Sequence, residues 1–147
     1  MKYTEVRLGR VFIIRLEDKD ILPACIEQFA KDNGITIAQA ILIGGIGAGQ
    51  VVVGPRLSDA MPPEPMLQKI DGAHEVVGLG LIVPDEAGKP ILHMHAALGR
   101  SGTTITGCIR PGVSTWLVGE VIIYEIIGAD VRRTVDNNSG FSLLDIK

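Results

Sequence analysis

Two histidines separated by one residue, His93 and His95, are the most chemically suggestive pair in the chain. Side chains two apart on a β-strand point to the same face, so both imidazoles can reach one ion. The segment Gly99-Arg100-Ser101-Gly102 has turn chemistry and folds the next strand back. If that hairpin is centred between Arg100 and Ser101, His93 lies opposite Cys108, with cross-strand Cβ atoms about 4.5–5.5 Å apart. Such spacing suits donors that approach an ion at about 2.0–2.3 Å. The convergence requires an even number of loop residues, because a one-residue slip turns Cys108 to the other face. Two imidazoles and a thiolate form a borderline-soft set that suits zinc, with nickel, copper or iron as alternatives. Three protein ligands leave a position open, as in catalytic zinc, whereas structural zinc is usually closed by four. Arg110 shares the face of Cys108 and could receive an anionic ligand beside the metal. Glu75 is the candidate base, and either Glu75 or His74 could instead close the site as a fourth ligand. The competing reading of His93 and His95 is a polar, solvated strand face, and that of His74 is a surface or hydrogen-bonded role.

The elements that must position these residues follow from periodicity. Residues 11–16 (VFIIRL) form a short apolar run expected to be a buried strand, closed by Glu17-Asp18-Lys19-Asp20. Asp20 suits a helix N-cap, with Ile21, Leu22, Cys25, Ile26, Phe29 and Ala30 on one face and an end near Asn33-Gly34. Cys25 is therefore expected in the core. Residues 35–43 and 50–54 read as two strands around the glycine run of residues 44–49. That run is not a dinucleotide fingerprint: a third glycine would be needed where Gln50 stands, and the segment that follows is a strand. Its glycines serve a turn, a bulge or close backbone packing. Residues 55–65 contain four prolines and read as a surface excursion and candidate flap. Residues 66–70, 74–83, 90–98, 103–109 and 116–127 then read as strands separated by turns such as Asp71-Gly72. Connections this short imply antiparallel meander pairing. Trp116 is expected in the core or an interface.

Composition bounds what such a site can serve. At 147 residues the chain is the size of one domain, residues 1–147. Aromatic residues make up only 4%, so Val, Ile and Leu must fill the core, which favours strands. A formal charge of -3 provides no net positive field for phosphates or anionic lipid, so nucleic-acid binding by the bare domain is not expected. No signal peptide and no apolar run long enough for a bilayer is read, so a cytoplasmic location without membrane attachment is expected. There the cysteines, Cys25 and Cys108, are expected to remain thiols.

Together, several segments resemble the plant and prokaryote conserved (PPC) domain family, over residues 11–146. They are VFIIRLEDKDILPACIEQFAKDNGI, the glycine segment ILIGGIGAG, Gly72-Ala73-His74-Glu75-Val76-Val77, the His-Met-His strand and Gly107-Cys108. The family usually has a histidine where this chain has Cys108 and a glycine where it has Thr106, and a thiolate is an acceptable zinc ligand in its place. The resemblance implies an α+β fold, an antiparallel sheet packed with one or two helices, assembled as a homotrimer. It also implies that His93, His95 and Cys108 form the metal-binding set. In plants the domain accompanies a separate Arg-Gly-Arg element that enters the DNA minor groove; no such tripeptide occurs here, and the DNA role does not carry over. At fold level the family is similar to acetolactate decarboxylase and to a zinc ester hydrolase, an analogy that does not fix function. The expectation is a zinc-binding protein with hydrolase or lyase chemistry on a small anionic substrate; the alternative is a non-catalytic regulatory or DNA-associated module.

Overall fold

A computed structural model describes the whole chain, Met1–Lys147. In chain order it forms β1 (Arg7–Leu16), β2 (Ile21–Leu22), α1 (Ala24–Asp32), β3 (Ala38–Pro55), β4 (Pro65–Pro84), β5 (Pro90–Arg100), β6 (Thr103–Ile109), β7 (Val113–Ile127), β8 (Val131–Val135) and β9 (Ser142–Ile146). The fold is thus largely antiparallel sheet with one short helix, more β-rich than an evenly mixed α+β domain. No helix is long and apolar enough to cross a membrane.

The main sheet runs β1-β7-β3-β4-β5-β6, with β2 beside β7. The far half of β3 also pairs with β6, through Val51 with Ile109 and Val52 with Cys108, so β3, β4, β5 and β6 close into a ring. Closure removes the open edge that β6 would otherwise present. It also places the chain around Cys108 between two partners.

Four sequence expectations are corrected by this architecture, and the first is that residues 11–16 form a buried strand: they lie on the edge strand β1, where Val11 and Ile13 are exposed. The helix begins at Ala24 rather than after Asp20, because Ile21 and Leu22 pair with Ser114 and Val113. Pro23 then starts the helix, where a missing N–H costs nothing, and the Asp20 carboxylate accepts from the Glu17 N–H at 2.9 Å instead of capping α1. The two strands expected around residues 44–49 are one continuous strand. A Cβ on Gly44 or Gly45 would meet the carbonyl oxygen of Val118 or Trp116, so these glycines serve close packing against β7. Asp71-Gly72 is likewise no turn: it lies inside β4, where the register with β3 shifts between Ile46 and Ala48. Trp116 is partly exposed, beside exposed Leu117 and Val118.

Alternation divides the sheet into two chemically distinct faces. Ala38, Ala40 and Leu42 of β3, Leu92, Met94 and Ala96 of β5, and Val121 and Ile123 of β7 join Ile26 and Ala30 of α1 in the core, with Cys25 packed against it. The other face carries the odd-numbered residues 39–43 of β3, 75–81 of β4 and 93–97 of β5. Across it runs one register row, Ile13, Ile122, Ile41, Leu79, His95 and Cys108. Ile13 is 85% exposed, Val77 65% and Leu79 55%, so this face is an apolar surface that the single chain leaves uncovered.

At the sheet edge Arg10 grips Glu125 with Nε on Oε2 and Nη2 on Oε1, both at 2.7 Å, and with its backbone N–H on Oε2 at 3.0 Å. These donors stabilise the carboxylate and lower the Glu125 pKa from 4.5 to about 2. A carboxyl with a depressed folded pKa contributes stability that is complete above its unfolded pKa and is lost as pH falls through the folded one. Glu125→Gln is therefore expected to lower the melting temperature at neutral pH, with the deficit shrinking between pH 4.5 and about 2. Thermal melts of both proteins across that range check it.

Candidate metal centre

His93, Met94 and His95 show the alternation that builds the centre: Met94 is buried in the core while both imidazoles stand on the opposite face. The β5–β6 hairpin has the two-residue loop Ser101-Gly102, with φ of 49° and 78°. Positive φ at both positions suits the tight turns that match strand twist. The loop is thus centred one residue later than expected, and Arg100 pairs with Thr103. In consequence His95, not His93, stands opposite Cys108. The error is a step of two in pairing, which preserves the face, so the three side chains still converge.

Their donor atoms all lie within 4.8 Å of one another. The two Nε2 atoms are 3.2 Å apart, with the rings nearly perpendicular at 84°. Nitrogens held at about 2.0–2.1 Å by one tetrahedral ion sit roughly 3.3 Å apart, so the imidazole pair already has the required bite. Cys108 is buried, and its thiol donates weakly to the Ile109 carbonyl at 3.7 Å. Burial raises the Cys108 pKa, opposed by Arg110 and Arg133. Burial lowers that of His93, aided by Arg133, His95 and Arg110. A neutral imidazole is ready to coordinate, whereas the thiol must lose its proton as the ion binds. The set fits a borderline-soft divalent ion.

These residues open into a cavity of about 960 Å³. Arg110 lines it, as does part of the proline-rich segment through Ser58, Met61 and Pro63. The structure does not bring Glu75 to this cavity. Glu75 is on the ligand face but pairs with Gly99, four residues along β4 from the Leu79 that faces His95, or about 13 Å at strand rise. His74 is on the other face, buried, with Nδ1 2.9 Å from the Gly72 carbonyl, and cannot supply a fourth ligand. No lining residue is an acid, so the ionisable groups facing the cavity are His93, His95, Cys108, Arg110 and Arg133.

Arg133 was not anticipated. It lies on β8, opposite Leu144 of β9, in a hairpin that the sequence reading did not assign. The available signal was Val131, Arg133 and Val135 at alternating positions, an arginine between two apolar residues on one strand face.

Comparison with known proteins supplies the fold's relatives. Residues 3–127 match the Plants and Prokaryotes Conserved (PCC) domain. A metal-containing protein, AF0104 from Archaeoglobus fulgidus, superposes with a TM-score of 0.84 at 24% identity, covering 97% of this chain and 98% of its own. A plant- and prokaryote-conserved protein from Pyrococcus horikoshii gives 0.81 at 22% identity, with 99% and 100% covered. A Bacteroides thetaiotaomicron protein described as a candidate DNA-binding protein gives 0.79 at 18% identity, with 96% and 97% covered. At these identities the likeness is one of fold. No curated protein matches the chain in sequence.

Proposed function

The chain belongs to the Plants and Prokaryotes Conserved domain family, and from that premise we propose that it is a homotrimeric zinc-binding protein that holds a small anionic ligand and carries out lyase or hydrolase chemistry on it. The observation that carries this reading is the meeting of His93, His95 and Cys108, with donor atoms within 4.8 Å of one another, on a cavity wall without carboxylates. The metal-containing description of the Archaeoglobus relative supports it. Zinc bound there would supply Lewis acidity toward an oxygen of the ligand. The protein's own part is to fix two imidazoles by the β5–β6 register, to exclude water with apolar walls and to place the Arg110 guanidinium for an anion.

The uncovered row of Ile13, Leu79 and their neighbours supports the trimer, since contiguous exposed apolar surface marks an association site. That row runs on through His95 to Cys108, so assembly would bring partner subunits close to the centre. A net charge of -3 and the lack of an Arg-Gly-Arg element argue against DNA as the ligand.

Cobalt substitution tests the ligand set directly. The protein loaded with cobalt is expected to show a thiolate-to-metal charge-transfer band, and Cys108→Ser should lose that band while retaining the two imidazole ligands. A loaded wild type without the band would remove Cys108 from the centre.

A further inference from the structure

Arg133 is 6% exposed, yet no carboxylate pairs with it. Its Nη1 donates to the Ser142 carbonyl at 3.3 Å, and its buried Nε has no partner at all. A buried guanidinium without a counter-charge costs several kcal/mol unless something supplies that charge. Within the chain the nearest group able to carry a negative charge is the Cys108 sulfur, and a bound metal ion would take up that charge. Arg133 lines the same cavity as Arg110 and the candidate metal ligands, so two guanidiniums face a space that offers no balancing acid.

We propose that Arg133, carried over the centre by the β8–β9 hairpin, binds the carboxylate of a small monocarboxylate whose branched or aromatic body fills the apolar part of the cavity. This rests on the reading of the cavity as a metal-bearing anion site and names the class of ligand. The walls favour a carboxylate over phosphate. Leu81 and Ile91 come from the sheet, Met61 from the proline-rich segment, and Phe141 and Leu143 from the hairpin, while few hydroxyls are available to satisfy a dianion's oxygens. The hairpin tip and the proline-rich segment approach each other, since a Cβ on Gly140 would lie 3.9 Å from Pro62. Together they roof the cavity, so the ligand's body would be taken out of water while its carboxylate meets the planar guanidinium fork. Arg133 lies beyond residues 3–127, so membership of the family does not assign it a role.

Calorimetric titration with 4-methylpentanoate tests this in wild type, Arg133→Met and Arg133→Lys, with zinc content and melting temperature measured on the same samples. Loss of a charge-assisted contact predicts that Arg133→Met binds about 30-fold more weakly with its zinc content unchanged. Arg133→Lys, which keeps the charge and the hairpin but not the fork, should fall between the two and decides the matter if the Met variant melts low. The neutral amide, 4-methylpentanamide, and inorganic phosphate should both bind wild type more weakly than the carboxylate. Equal affinity of wild type and both variants for 4-methylpentanoate, or a preference for the amide or phosphate, would overturn the proposal. So would Arg133→Met losing zinc with carboxylate affinity intact, which would make Arg133 a support for the thiolate. A wild type that holds no zinc removes the metal reading alone, because the same titrations on metal-free protein still decide the role of Arg133.

Discussion

Replacing His95 with alanine is expected to weaken zinc binding by at least about 100-fold, since even outer-shell changes at metal sites cost 10–100-fold and this change removes a direct ligand. His95 is exposed on the face away from the core, so the metal-free protein should lose little stability. The difference should therefore appear only when metal is present. Zinc at about 100 times its dissociation constant adds about 2.7 kcal/mol to the folded state, roughly 5–10 °C in melting temperature for a domain of this size. Wild type should show that rise and His95→Ala should not. The central place of His95, opposite Cys108 and 3.2 Å from His93 between the Nε2 atoms, makes it the most sensitive of the three proposed ligands.

If the chain forms the proposed trimer, Leu79→Glu is expected to dissociate it into single chains. Leu79 lies in register between Ile41 and His95 and is 55% exposed on the isolated chain. If partner copies cover it, the substitution buries an unpaired carboxylate, at a cost of several kcal/mol per site and more than about 100-fold in affinity. Light scattering should give wild type three times the 15.7 kDa of one chain and the variant one times that mass. Because Leu79 points away from the core, circular dichroism of the variant should stay native. A wild-type mass of one chain would leave the apolar row without its proposed partner.

The convergence of His93, His95 and Cys108 was legible in the sequence because strand alternation is robust. His-x-His on one strand, and a cysteine at even spacing across a turn, converge whether the turn is centred at Arg100-Ser101 or between Ser101 and Gly102. Which imidazole faces the thiol depended on the turn conformation, and that is set by positive φ at Ser101 and Gly102 rather than by hydrophobic pattern. The long strands were read in pieces for a related reason. Glycines in β3 and Asp71-Gly72 in β4 look like turn residues, and only their contacts across the sheet show that they permit close approach and bulging. The helix start was misplaced because Ile21 and Leu22 fit the helical stripe equally well, and tertiary pairing with β7 claimed them. The helix end at Asn33-Gly34, with Gly34 at φ 64°, was local chemistry and was placed correctly. Glu75 and His74 illustrate the limit of reading by residue type: both could ligate or act as bases, but one lies too far along β4 and the other on the opposite face. Arg133 escaped notice because adjacent Arg132 and Arg133 in the short β8 segment read as solvated, and the alternation of Val131, Arg133 and Val135 is a weak signal beside the hairpin's position over the cavity.

X-ray absorption at the zinc edge of the reconstituted protein tests the central claim most directly. The predicted first shell is one sulfur at about 2.3 Å and two imidazole nitrogens at about 2.0–2.1 Å, with lighter donors completing it. A shell lacking sulfur, or one with fewer than two imidazoles, would contradict a centre built from His93, His95 and Cys108.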